Sequence, residues 1–159
     1  MAYRIRSAIP TDQEAVEEVV RAAYQPWVEV VGSRPGPMDA DYASLIADGR
    51  VHVVVAEGAP GLNPSVGGVL VQAVEASALL IENVAVHPVH QRRGLGLALV
   101  TYAEATAQRS RLSAMRLFTH ERMASNIAWY EKLGFVISGM EPIESGHLVH
   151  LTKSVPSAD

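Results

Sequence analysis

Gln91-Arg92-Arg93-Gly94-Leu95-Gly96 decides how this chain reads. The stretch stands between an apolar run, Leu79–His87, and a segment in which Leu95, Ala98, Leu99, Tyr102 and Ala105 recur at helical spacing. A strand feeding a helix through two nearby glycines has a definite physical property. The first turn of a helix leaves backbone N–H groups unpaired and carries about half a positive charge. Glycines at 94 and 96 lack a Cβ, so the backbone can curl closely around an anion. Arg92 and Arg93 add charge-assisted donors for phosphate oxygens. The stretch is expected to hold a pyrophosphate.

The spacing excludes two familiar phosphate loops. A dinucleotide G-x-G-x-x-G pattern would need a third glycine where Leu99 stands. Its acidic partner would fall near Ala114–Arg116, where there is none. A Walker A loop would need Gly-Lys-Ser/Thr, which is absent after Gly96. On this stretch alone, a plain glycine-rich strand–helix turn remains the alternative.

Outward from the loop, the pattern is one of mixed elements. Tyr3–Ile9 alternates and reads as a strand; Thr11 to Glu14 has capping-box form, and Val16, Val19, Val20 and Ala23 extend a helix to about Tyr24. Gly32–Pro37 is too rich in glycine and proline for regular structure, and Asp39–Ala47 reads as a short helix stopped by Asp48-Gly49. Val51–Glu57 and Val66–Val74 form a predicted hairpin across the Gly58–Ser65 turn. Leu95 to about Arg109 is a helix, Met115–His120 a strand, and Ser125–Leu133 a helix with Gly134 as its cap. Phe135–Met140 and His147–Ser154 close the chain as an antiparallel pair. The expected fold is α/β (α+β): a mixed, largely antiparallel central sheet flanked by about four helices.

Composition narrows the classes. At 159 residues the chain reads as a single domain, 1–159, with a full core from 48% hydrophobic residues. It has no cysteine, which removes a disulfide scaffold, a thiolate zinc site and a Cys nucleophile together. A net charge of −4 argues against general nucleic-acid binding. No apolar stretch approaches the roughly 20 residues of a membrane span, and MAYRIRSAIP lacks the apolar core of a signal peptide. A cytoplasmic protein is expected. His87-x-x-His90 flanks Pro88 on a loop with no third ligand spaced nearby, so no metal is expected.

Gln91-x-x-Gly94-x-Gly96, after Val84-Ala85-Val86-His87-Pro88, resembles the coenzyme A motif of the GNAT superfamily of N-acetyltransferases. Asn126-Ile127-Ala128-Trp129-Tyr130-Glu131-Lys132-Leu133-Gly134-Phe135 carries the second half of the likeness, which with the element order spans nearly the whole chain. The resemblance implies acetyl-CoA as co-substrate. It implies that the backbones of Val84, Ala85 and Val86 meet the pantetheine arm, and that Gln91, Arg92, Arg93, Gly94, Leu95, Gly96 and Leu97 wrap the pyrophosphate.

The same resemblance assigns chemistry. Tyr130 is the expected general acid, because a departing thiolate needs a proton and a phenol can donate one at neutral pH. Judged without the resemblance, it reads first as a core aromatic on an amphipathic helix. Asn126 lies one helical turn earlier and either holds cofactor amides or begins the helix. That spacing is similar to the glucosamine-phosphate branch of the family. Glu82, an acid inside Ile81-Glu82-Asn83-Val84-Ala85-Val86, is the expected base, directly or through a water. The alternative is an edge glutamate facing solvent. His120 is the runner-up base.

Taken together, these residues predict direct transfer of an acetyl group to a primary amine, with no covalent enzyme intermediate. The rivals are a coenzyme A-binding regulatory module without turnover and an acyltransferase for longer chains. Family members of this size often pair, which makes a homodimer a candidate assembly. No residue pattern names the acceptor.

Overall fold

The computed structural model describes residues 2–57 and 65–157, so most of the expected Gly58–Ser65 turn lies outside the described residues. Seven strands form one sheet: β1 (Tyr3–Ser7), β2 (Val51–Ala56), β3 (Ser65–Val74), β4 (Ala78–Val86), β5 (Ala114–His120), β6 (Val136–Ile143) and β7 (Gly146–Ser154). Their order is β1-β2-β3-β4-β5-β7-β6. Every pairing is antiparallel except β4 with β5. A parallel pair needs a crossover, and α4 (Leu95–Arg109) supplies it.

The remaining helices are α1 (Gln13–Tyr24), α2 (Trp27–Val31), α3 (Tyr42–Ala47) and α5 (Ala124–Lys132). Among the described residues there are five α-helices where about four were expected, the additional one being α2. Pro26 stands at the start of this further helix, whose end is capped by Gly32 at φ 86°. Two starts also differ from expectation. No side-chain cap bond forms at the start of α1. There the Asp12 carboxylate accepts the Ile9 N–H at 2.8 Å and binds the Arg6 guanidinium through both oxygens. The helix expected from Asp39 begins at Tyr42, because the Asp41 side chain caps it by accepting the Ser44 N–H at 3.1 Å.

The sheet is covered on both faces. β2 is buried at every position, and its valines divide by pleat: Val51, Val53 and Val55 pack under α1 and α3, whereas Val54 packs with Leu95, Leu99 and Ala103 of α4. Leu99 is fully buried, and truncation to Ala would cost about 2–5 kcal/mol. No helix among the described residues is long and apolar enough to cross a membrane.

Two irregularities open the sheet beside β4. β4 and β5 pair only from Ala78/Ala114 to Ile81/Leu117, so beyond Ile81 the two strands part. The β3–β4 register also shifts between Val71 and Gln72, leaving Glu82 without a partner on β3.

Candidate active site

Where β4 leaves β5, a cleft of about 700 Å³ opens. Its walls are Val84, Ala85 and Val86 of β4, the loop from His90 through Leu97 (Arg93 apart), Ser125, Asn126 and Trp129 of α5, and Ala23, Tyr24, Pro26 and Trp27 at the α1–α2 junction.

The loop is built to leave donors free. Gly94 precedes α4 at φ 82° and Arg92 adopts φ 65°, a left-handed turn that costs a non-glycine residue about 1–2 kcal/mol. Among the described residues, no backbone N–H from Arg92 to Leu97 finds an acceptor; the first bonded one is Ala98, to the Gly94 carbonyl at 3.0 Å. Successive unpaired N–H groups at a helix start suit an anion. Gln91 works as a clamp: its side-chain amide donates to the Val86 carbonyl oxygen at 3.1 Å and ties loop to strand. Arg92 lines the cleft, whereas Arg93 reaches the Tyr3 hydroxyl at 3.5 Å.

The two glycines have different reasons. A Cβ on Gly94 would meet nothing within 4 Å, so its requirement is the left-handed backbone. A Cβ on Gly96 would lie 3.2 Å from the Trp129 ring, so there the requirement is space. The loop and α5 are thereby packed into one wall. These residues fit a pyrophosphate-bearing ligand: the donors are orphaned, and the close approach depends on absent side chains.

Tyr130 is not among the residues lining the cleft; it lies behind Trp129, with the two ring centroids 4.9 Å apart. It is 8% exposed, packs edge-on against Phe135 with ring centroids 5.6 Å apart, and its hydroxyl makes no hydrogen bond to any described residue. Burial raises its pKa, so it remains a phenol at neutral pH. Asn126 faces the cleft one turn earlier, with its backbone N–H bonded to the Met123 carbonyl.

Glu82 belongs elsewhere. It is the first residue beyond the last β4–β5 pair, but it is not among the residues lining this cleft, and its carboxylate is ion-paired with Arg50. Both belong to a second cleft, with His52, Gln72, Tyr102 and Arg109. No carboxylate among the described residues lines the first cleft. His120 is buried with both ring nitrogens engaged. Nδ1 accepts the Arg122 N–H at 3.1 Å, which places the neutral ring's hydrogen on Nε2, facing the Ser145 Oγ at 3.1 Å. Beside it the Glu121 carboxylate meets His147 at 2.7 Å, which lowers its pKa. His87 and His90 sit edge-on with centroids 6.5 Å apart, and no group of three or more potential ligands gathers among the described residues.

Several lining residues escape the sequence reading. Tyr24 and Trp27 flank Gln25-Pro26, and a pair of aromatics about a proline at a helix end is the signal that marks them. Trp129 stands next to Tyr130 but shows its role only through Gly96. Asn83, buried at 5% exposure, accepts the Tyr24 hydroxyl at 2.6 Å.

Comparison with known proteins agrees with the fold. The family model described as an acetyltransferase (GNAT) domain matches residues 48–137, more than half of the chain. No curated protein sequence matches. The structure is similar to the ribosomal-protein-S18-alanine N-acetyltransferase of Escherichia coli, at 20% identity and TM-score 0.75, over 99% of this chain and 97% of that one. It is also similar to the PaiA N-acetyltransferase of Thermoplasma acidophilum in complex with coenzyme A, at 16% identity and TM-score 0.78, over 97% and 99%. A third likeness is to Ard1 of Thermoplasma volcanium, at 23% identity and TM-score 0.75, over 99% and 100%.

Proposed function

The chain belongs to the GNAT acetyltransferase domain family, and on that premise we propose that it moves the acetyl group of acetyl-coenzyme A directly onto a primary amine of a small molecule or peptide. One observation carries the reading: the unpaired N–H groups from Arg92 to Leu97 lie beside the free edge of β4 in the same cleft. The loop holds the pyrophosphate, and the Val84–Val86 edge holds the pantetheine amides, as a further strand would.

The amine nitrogen bonds to the thioester carbonyl carbon, the carbon–sulfur bond breaks, and the sulfur leaves with the bonding pair. Tyr130 gives that sulfur its proton; the unbonded hydroxyl supports the assignment, and burial, which raises its pKa, keeps the proton in place at neutral pH. Asn126 helps seat the ligand at the start of α5. The amine's proton leaves through water, since no carboxylate among the described residues lines the cleft, and we assign Glu82 at the parting of β4 and β5 as its destination. One Glu82 oxygen is held by Arg50, which leaves the other to take the proton. The absence of cysteine supports direct attack over a thioester enzyme intermediate.

A thiol-release assay with acetyl-CoA and a panel of peptides, polyamines, amino sugars and aminoglycosides tests the reading. Amine-dependent release is expected for at least one class. Binding of coenzyme A with no release above hydrolysis across the panel would instead favour a regulatory module. A higher rate with longer acyl-CoA donors would assign a different acyl group.

A further inference from the structure

A chain of buried and part-buried hydrogen bonds runs from the wall of the cleft through Asn83 to the Pro37 carbonyl ahead of α3. The Tyr24 hydroxyl donates to Asn83 Oδ1 at 2.6 Å, Asn83 Nδ2 donates to the Tyr42 oxygen at 3.2 Å, and the Tyr42 hydroxyl donates to the Pro37 carbonyl at 2.5 Å. Its direction is not arbitrary. A carbonyl only accepts, so Tyr42 must donate to Pro37 and receive from Asn83. The asparagine amide is thereby oriented, and its oxygen is turned to Tyr24.

The consequence falls on Tyr24. Tyr24 lines the cleft, and its one hydrogen is committed to Asn83, so its oxygen has only lone pairs left to offer a ligand. Burial raises its pKa well above the ordinary phenol value, and the nearby Tyr130 and Tyr42 raise it further, so it stays neutral. Tyr130 is the complement: its hydroxyl has no acceptor among the described residues, and its hydrogen is free to be given away. Asn83 occupies the second position past the last β4–β5 pair, immediately before the strand edge assigned to the pantetheine arm.

We propose that the Tyr24 oxygen receives an N–H of the acceptor amine and aims its lone pair at the thioester, with Asn83 and Tyr42 as positioning residues that lock Tyr24 as an acceptor. A neutral amine can both donate that hydrogen bond and attack; an ammonium cannot attack. Tyr24 therefore binds the amine without taking its proton, and Tyr130 supplies the proton to the leaving sulfur. The role rests on the acetyltransferase reading above.

The test uses the full chain, acetyl-CoA and whichever panel amine the wild-type protein turns over fastest. Tyr24→Phe removes only the oxygen. It should lower kcat/KM for the amine about three- to tenfold, mostly through KM, as expected for one lost hydrogen bond. The calorimetric Kd for acetyl-CoA should move less than about twofold. Tyr42→Phe, which releases Asn83 without touching the cleft, should shift the amine KM in the same direction by less, again with acetyl-CoA binding retained. An unchanged amine KM in Tyr24→Phe overturns the role while leaving the acetyltransferase reading intact. An equal rise in amine KM and acetyl-CoA Kd also overturns it, reducing Tyr24 to a wall of the coenzyme site. If the wild-type chain transfers to no amine at all, both readings fall together.

Discussion

The Trp129 indole lies 3.2 Å from the point a Cβ on Gly96 would occupy, so the coenzyme loop and α5 are fitted to each other through a missing side chain. That contact is tighter than ordinary van der Waals packing, and the atoms on the far side belong to a rigid ring. Gly96→Val should push α4 from α5 and weaken coenzyme A binding at least tenfold by calorimetry, with Gly96→Ala intermediate. Unchanged affinity in the valine variant would remove the loop from the site. Gly94→Ala separates the two glycine effects: it meets no atom but must hold φ 82°, and should cost about 1–2 kcal/mol of stability in denaturant unfolding.

Tyr130→Phe should lower kcat about 10²-fold and leave coenzyme A affinity nearly intact, because only a donated proton is lost. Burial raises the Tyr130 pKa above the ordinary value of 10.0, so loss of its proton should produce no fall in kcat below about pH 10 in the wild type. An unimpaired Tyr130→Phe enzyme would return this residue to the core cluster it shares with Phe135.

Much of this was legible in the sequence, and the boundary is physical. The bounds of α4, the β2–β3 pairing and the Gly134 cap follow from signals within a few residues of one another, and the structure reproduces them. What periodicity could not give depends on partners far apart in the chain. Tyr24 and Asn83 are 59 positions apart, and Arg50 and Glu82 are 32 apart. Glu82 reads as an acid within an apolar strand, but the bulge that frees it from β3 and the arginine that meets it are tertiary facts. The short α2 was hidden because a proline marks a helix start and a helix stop with the same letter.

Glu82→Gln keeps the shape and removes the proton acceptor. Amine kcat/KM should fall at neutral pH, and the loss should shrink as pH approaches the amine's own pKa, where free amine needs no base. An equal loss at every pH would make Glu82 a structural partner of Arg50 instead. His120→Gln should do less to the pH profile, since both of its nitrogens are already bonded.

Arg6 and Asp12 give a stability prediction remote from the cleft. Hydrogen bonds from Arg6, aided by the Ile9 N–H, lower the Asp12 pKa below its ordinary 3.8. A depressed folded-state pKa means stability that is present above the unfolded value and is lost as pH falls through the folded one. Asp12→Asn should therefore cost about 1–2 kcal/mol in denaturant unfolding at pH 7, allowing for the partly exposed guanidinium. The gap to wild type should narrow as pH drops below 3.8. A gap independent of pH would mean the ion pair is not its source.

The most direct test of direct acetyl transfer is a time course, by mass spectrometry, of free coenzyme A, acetylated amine and intact protein from one reaction mixture. Free coenzyme A and acetylated amine should appear one for one, with the protein mass unchanged throughout. Coenzyme A released without acetylated amine, or an acetyl group found covalently on the chain before the amine acquires it, would contradict direct transfer.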